Sequence, residues 1–388
     1  MKFCFVLYNL LCYCIYSKKY QKFKINTWKV KRKYLGGIIA FKTNNRHHWK
    51  LSFCGIQIYS HNNKRDKFLF FTICKHNFAK KWIKKLDKKI EDKYDDIYIL
   101  RHNIGETYVE LMHLKERIKV NNSKNPLVIV WDEKYLNFYK MFIPRNVDLK
   151  YIPLYQADIH DVFSETSLEY KNIVIQFNGH RYFCSTPRIA ENMKKEALTK
   201  PDINFYNYIN DCTNIPQKSI PTKPTIPSLT IQRVNHLIKQ IGLSDKFVIF
   251  APEANSLKPM DDVFWNILAE QFSQKGYDIY VNSYLHKTNI KNAKTSCITI
   301  DELFILAQKS KGIITLGSGL SVFLTATNVP MDLIYTDFNS KSIGYDAALA
   351  IKIYSVLHLP GNSSDLIKEH NANELSSSTL SNKILARY

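Results

Sequence analysis

Gly317-Ser318-Gly319-Leu320-Ser321 are the residues of this chain best suited, by type and spacing, to hold a phosphate group. They follow Ile313-Ile314-Thr315-Leu316, a short apolar and β-branched run that reads as a buried strand. They lead into Leu320–Ala326, small and apolar, which reads as a helix. A strand, a Gly-rich turn and a helix together offer unpaired backbone N–H groups to an anion. The two glycines let the backbone approach a phosphate closely, and Ser318 and Ser321 add hydroxyls. A plain tight turn in a doubly wound sheet uses the same spacing, so the residues alone leave both readings open. Further polar groups gather at the ends of other apolar runs. Gly105-Glu106, with Arg101 and His102, follow Ile97–Leu100; Ser256 and Lys258 follow Lys246–Ala251; Asn178-Gly179-His180-Arg181 follow Asn172–Phe177.

The elements that must position these groups alternate between strand and helix patterns. From residue 96 the chain reads as a strand at Ile97–Leu100, a helix from Thr107 (Tyr108, Leu111, Met112, Leu114, Ile118), and strands ending at Trp131 and Leu154. Such alternation predicts parallel α/β sheets, whose sites lie at the C-terminal ends of the strands. Pro216, Pro221, Pro224 and Pro227 then fall within twelve residues, which excludes helix or central strand and predicts a domain boundary. Beyond it the pattern resumes. Helix Gln232–Ile241, strand Lys246–Ala251, a helix opened by Asp261 or Asp262, strand Tyr277–Val281, helix Thr299–Lys309, strand Asp332–Tyr335 and helix Asp346–Tyr354 are expected. Residues 361–388 are Ser/Asn-rich and are expected to form a tail.

With 388 residues the chain has room for two cores. Its formal charge is +21, and residues 1–65 hold 14 Lys/Arg and no Asp or Glu. A basic surface of that kind favours phosphate-rich partners: nucleic acid, an anionic bilayer or a phosphorylated glycolipid. Phe3–Tyr16 is apolar but shorter than the roughly 20 residues of a spanning helix. Trp28, Tyr34, Trp49 and Tyr59 interleave with the charges, as residues do at a lipid headgroup layer. Residues 77–95 have the spacing of a basic amphipathic helix. No specific nucleic-acid signature is present, so residues 1–95 are read as a basic extension for an anionic membrane surface. The eight cysteines show no CxxC and no paired Cys/His spacing, which excludes a disulfide framework and a thiol metal site.

In its second half the chain resembles the heptosyltransferase-like glycosyltransferases of family 9, which have two facing Rossmann-type domains (the GT-B fold). Three pieces carry the resemblance there: FAPEANSLKPMDDVFWNILAEQF (residues 250–272), GYDIYVNS (276–283) and ITIDELFILAQKSKGIITLGSGLSVFLTATNVPMDLIYTD (298–337). In the first half LRHNIGETYVELMHLKERI (100–118) is similar to the Gly-acid segment that ends the family's first strand. The resemblance covers roughly residues 96–350. It implies an acceptor-side domain over 96–215, a Pro-rich linker over 216–227 and a nucleotide-sugar domain over 228–360.

Residue by residue, the resemblance implies that Glu106 is the general base on the acceptor hydroxyl. It places Lys258, with Ser256, at the donor phosphates, and Ser318, Gly319 and Ser321 around the nucleotide diphosphate. Arg101, His102, His180 and Arg181 are candidates to orient a phosphorylated acceptor. The implied reaction moves a sugar from a nucleotide-sugar donor to a lipopolysaccharide, lipooligosaccharide or other cell-surface glycan with inversion. No Asp-x-Asp motif stands at a strand end, so no metal and no cofactor besides the donor are expected. The expected location is cytoplasmic, at the inner face of the plasma membrane. Three departures stand out: Gly317 where the family has Asp, Val322 where it has His, and Pro259 where it has the Trp that follows Lys258. Two other classes remain open, a non-catalytic scaffold that kept the nucleotide-sugar fold and a basic nucleic-acid-binding protein.

Overall fold

The computed structural model describes residues 83–100, 103–153, 173–184, 203–213, 215, 219–283, 289–296, 298–339 and 344–388, and four strands before residue 61. The chain divides into two compact units, Met1–Ile83 and Lys84–Tyr388. In the first, β1 (Lys33–Leu35), β2 (Ile39–Asn45), β3 (His48–Phe53) and β4 (Ile56–Ser60) form an antiparallel meander in the order β1-β2-β3-β4. Phe3–Tyr16 and Trp28 fall outside the described residues. Of the helix expected over 77–95, residues 83–87 are helical and 88–95 are turn and loop.

The larger unit contains two α/β sheets. The first begins with β5 (Asp96–Ile99), followed by α1 (Ile104–Met112), α2 (Leu114–Val120), β6 (Pro126–Val130), α3 (Leu136–Lys140) and β7 (Asp148–Tyr151). A hairpin of β8 (Ile173–Phe177) and β9 (His180–Cys184) and then α4 (Phe205–Thr213) complete it. The strand order is β7-β6-β5-β9-β8, with β9 parallel to β5 and β8 antiparallel to β9. The sheet therefore reverses direction of growth between β5 and β9.

The second sheet is wholly parallel. After α5 (Ser228–Gln240) come β10 (Phe247–Ala251), α6 (Asp262–Gln274), β11 (Asp278–Val281), β12 (Lys294–Thr295) and α7 (Ile300–Lys309). Then follow β13 (Gly312–Leu316), α8 (Gly319–Leu324), β14 (Met331–Tyr335), α9 (Ala347–Tyr354), β15 (Ile367–Asn371) and α10 (Ser377–Leu385). The order β12-β11-β10-β13-β14-β15 is the doubly wound order 3-2-1-4-5-6, with its switch point between β10 and β13. Every residue of β10, β13 and β14 is buried, because helices cover both faces of the sheet. The helices start where side chains cap them. Asp261 accepts from the Val263 N–H, Asp346 from the Leu349 N–H, and Thr299 forms a capping box with Glu302.

Residues 361–388 are not a tail. They supply the edge strand β15 and helix α10, and Arg387 donates to the buried Asp332 carboxylate at 2.6 Å. His370 Nε2 lies 2.7 Å from the other oxygen of Asp332, and the Tyr388 hydroxyl donates to Asp332 at 3.1 Å. Tyr388 fills the space a side chain at position 312 would need, so that position is glycine.

The two lobes share one core. Phe323 of α8 packs against Tyr108, Phe138 and Phe142 of the first lobe, with ring centroids 5.6, 4.9 and 6.3 Å away, and against Phe304 at 5.1 Å. Residues 219–227 of the Pro-rich linker, which form neither helix nor strand, run along this joint, the Thr222 N–H donating to the Met112 carbonyl and the Thr225 N–H to that of Met141. Buried His113 joins α1 to the same joint, contacting Tyr206 of α4 at 2.7 Å and Ser219 of the linker at 2.6 Å.

Candidate active site between the two switch points

The site is built from two strand-to-helix turns that meet. In the first lobe β5 ends and α1 begins after Asn103, whose extended backbone starts the helix. Gly105 and Glu106 fall in its first turn, where the helix dipole favours a carboxylate. Glu106 is half-buried, and the Asn103 side-chain amide donates to its Oε1 at 3.1 Å. In the second lobe Gly317 and Ser318 link β13 to α8. The two turns touch at their glycines. A Cβ on Gly319 would stand 2.7 Å from Gly105 N, and one on Gly105 would stand 2.9 Å from Gly319 Cα. Only residues without side chains allow backbones to come this close. The contact brings Glu106 next to the Ser318–Ser321 turn, although 212 positions separate 106 from 318.

The turn itself is held by its serines. The Ser321 N–H donates to Ser318 Oγ at 3.3 Å, the Ser318 N–H to Ser321 Oγ at 2.8 Å, and Ser321 Oγ–H to the Ser318 carbonyl at 2.7 Å. Ser321 is buried and its hydroxyl is committed to this box, whereas Ser318 and Gly319 are half-exposed. The departures at Gly317 and Val322 have a steric reason. A Cβ at Gly317 would stand 2.6 Å from Cε1 of Tyr335, so no carboxylate fits there. Tyr335 cannot swing away, since its hydroxyl donates to the Tyr354 carbonyl at 3.0 Å and to Glu369 at 3.1 Å. Burial pushes its phenol well above the usual range. Val322 is buried 3.6 Å from the Cβ position of Gly105, where an imidazole would place ring nitrogens in an apolar joint.

Lys258 stands on the same sheet edge, on a strap. The loops after β10 and β14, the strands flanking β13, join through a bridge between Leu257 and Phe338. The Lys258 N–H donates to the Asp337 carbonyl at 2.7 Å, the Asn339 N–H to that of Ser256 at 2.8 Å, and Thr336 Oγ1 to that of Lys258 at 2.6 Å. The strap thus spans the end of β13. The Lys258 ammonium reaches Asp337 Oδ2 at 2.8 Å, and Asn373 donates to Asp337 Oδ1 at 2.8 Å. The bond from Lys258, then that from Asn373, holds the Asp337 carboxyl below its ordinary range. Ser256 is exposed beside Lys258. The carboxylate–amide–ammonium chain of Asp337, Asn373 and Lys258 was not visible in the sequence, because its members are 79 and 36 positions apart.

The four acceptor candidates fare differently. Arg101 and His102 lie outside the described residues. His180 and Arg181 lie at the opposite end of the strands, beside the start of β5. They begin β9, whose register pairs Arg181 with Asp96, the first residue of β5. Arg181 holds the Asp96 carboxylate with two bonds of 2.6 and 2.7 Å, and buried His180 Nδ1 lies 2.6 Å from the Tyr94 carbonyl. The reason is the two-residue turn Asn178-Gly179, both at positive φ, which folds β8 back as a hairpin. Asn-Gly between apolar runs is the signal that would have predicted this. Among the described residues no group of three or more His, Cys, Asp or Glu side chains is placed to hold a metal ion, and no helix is long and apolar enough to cross a membrane.

No protein-family model matches the chain, and no curated protein sequence matches it. Among solved structures it is similar to the ADP-heptose lipopolysaccharide heptosyltransferase II of E. coli, with a TM-score of 0.47 and 11% identity over 76% of this chain and 98% of that chain. The family 9 glycosyltransferase of Veillonella parvula has a TM-score of 0.44 and 13% identity, over 72% of this chain and 87% of that one. The wall teichoic acid polymerase TagF has a TM-score of 0.34 and 13% identity, over 81% and 90%.

Proposed function

We propose that this chain is a glycosyltransferase that moves a sugar from a nucleotide-sugar donor to a hydroxyl of a phosphorylated glycan or glycolipid. One observation carries this reading: the contact of Gly105 with Gly319, which joins the turn that bears Glu106 to the Ser318 turn at the switch points of the two sheets. Open α/β sheets bind ligands at such points. The donor's diphosphate is met by Lys258 and by backbone N–H groups of the turn, and Ser256 and Ser318 offer hydroxyls. Glu106 accepts the proton of the acceptor hydroxyl as its oxygen attacks the anomeric carbon. The sugar–phosphate bond breaks on the opposite side, so the anomeric centre inverts, and the nucleoside diphosphate leaves with its charge on Lys258. The acceptor is a phosphorylated cell-surface glycan such as lipopolysaccharide, bound by the first lobe, and the basic charge of residues 1–65 suits an anionic membrane surface.

The experiment is turnover. Glu106→Gln, which keeps the Asn103 contact but not the base, is expected to retain donor binding and lower transfer by about 10²–10⁴-fold. Unchanged transfer in Glu106→Gln would remove the base from the mechanism. A second reading, a non-catalytic binding protein, is favoured by the serines being bonded to each other and by Lys258 being paired with Asp337. It predicts nucleoside diphosphate binding with neither transfer nor donor hydrolysis.

A further inference from the structure

Lys258, the cation proposed to meet the donor's phosphates, already has an anion on it. Asp337 Oδ2 lies 2.8 Å from its ammonium, and both side chains face solvent, 58% and 32% exposed. The ion pair is not what holds the two loops together. The Leu257–Phe338 bridge, the Lys258 and Asn339 N–H groups, Thr336 Oγ1 and Asn339 Nδ2 tie the strap through main-chain carbonyls, leaving the two carboxylate oxygens of Asp337 uninvolved. Asp337 is also bonded by Asn373, which follows β15, so its carboxylate keeps a partner when it leaves Lys258. Phe338, next in the chain, is packed on Tyr345 and Tyr354 at 4.9 and 5.8 Å, which anchors the loop from its other side.

We propose that Asp337 is a resident counter-anion: a diphosphate binds by displacing its carboxylate from the Lys258 ammonium, and the displaced carboxylate is retained by Asn373. The proposal rests on the reading of Lys258 as a phosphate contact and adds the regulation of that contact. An exposed ion pair is worth little, so exchange is easy for a ligand that also reaches backbone N–H groups. A monovalent anion that reaches Lys258 alone merely replaces one anionic partner by another. Asp337 therefore sets the threshold for what the strap accepts, and its charge works against every anion at Lys258.

The test is calorimetric titration of the full chain with inorganic pyrophosphate and with ADP, for wild type, Asp337→Asn, Lys258→Ala and the double variant. Asp337→Asn is expected to tighten pyrophosphate binding roughly two- to fivefold, the range an exposed ion pair covers. Lys258→Ala is expected to weaken it strongly, and Asp337→Asn is expected to give no gain in the Lys258→Ala background. A positioning or merely structural role for Asp337 predicts the opposite sign, weaker binding in Asp337→Asn, and that result overturns the proposal. Equal binding by wild type and Lys258→Ala would overturn the phosphate role of Lys258 itself, and the proposal with it. Asn373→Ala supplies a second variant that leaves Lys258 and Asp337 unchanged. It frees the displaced carboxylate to return, and is expected to weaken binding where Asp337→Asn strengthens it; a gain of binding in Asn373→Ala would count against the retention step.

Discussion

Replacing Gly319 by alanine places one methyl group in the joint between the lobes, and the geometry sets the size of the effect. The new carbon would stand 2.7 Å from Gly105 N, 3.4 Å from Gly105 Cα and 3.6 Å from the Ile104 carbonyl carbon. All three are main-chain atoms, so no side chain can rotate out of the way. Restoring ordinary contact requires the two turns to separate by roughly 0.7 Å, the difference between 2.7 Å and the lower edge of normal carbon contacts. Overpacking of this kind costs about 1–3 kcal/mol. Gly319 is the first residue of α8, where alanine's helix preference offsets little of that. For a unit of this size the melting temperature is expected to fall by about 2–5 °C. Gly105→Ala, which meets Gly319 Cα at 2.9 Å, is expected to behave alike, and the double variant to cost less than the sum of the two. Differential scanning calorimetry on the three variants measures this, and donor turnover is expected to fall with each as Glu106 is moved from the turn. An unchanged or raised melting temperature in both single variants would refute the contact between the lobes.

Other consequences can be checked separately. Gly317→Ala meets Tyr335 Cε1 at 2.6 Å and is expected to destabilise; Tyr335→Phe, which keeps the ring, does not relieve it, whereas Tyr335→Leu does, by thermal melting. Arg117 and Glu110 form an ion pair at 3.0 Å with both side chains 1% exposed, so Glu110→Ala is expected to cost about 3–5 kcal/mol in urea unfolding. His113 is pushed down to about 4 by burial. Its folded value is below its unfolded one, so its contribution is complete above about pH 6.5 and is lost as pH falls toward 4. The loss is on the order of 3 kcal/mol, and His113→Gln is expected to flatten stability against pH over that window. With the diphosphate met by Lys258 and backbone N–H groups, transfer is expected to persist in excess chelator; loss of activity restored by a divalent cation would contradict that assignment.

Much of the second lobe was legible in the sequence because parallel strands covered on both faces are continuous apolar runs. FVIFA, GIITL and MDLIY announce themselves, and Asp261, Thr299 and Asp346 mark the helix starts that follow. The edge strand β15, IKEHN, has neither signal: only Ile367 and His370 are buried, and it carries three charged or titratable groups. The helix after it, SSTLSNKIL, is Ser-rich, the composition of a tail, yet Leu380 and Ile384 are fully buried. His180 and Arg181 would stand at the site end of the sheet if the strand before them ran parallel to β5, but β8 is antiparallel and the Asn178-Gly179 turn lies at the other end. In the site, the residue types of Glu106, Lys258 and Ser318 were readable. Their partners were not, since the Gly105–Gly319 contact, the Tyr335 ring under Gly317 and the Asp337 carboxylate on Lys258 are made by tertiary packing.

The central claim is that Lys258 and the Ser318 turn form a nucleoside diphosphate site. It is tested most directly by thermal shift of the purified chain against UDP, GDP, ADP, CMP and their sugar conjugates. A ligand that binds only the folded state raises the melting temperature by mass action, by an amount that grows with concentration over Kd. The account predicts a shift with one base, lost in Lys258→Ala and kept in Glu106→Gln. No shift with any nucleotide, or a shift unchanged in Lys258→Ala, would contradict it.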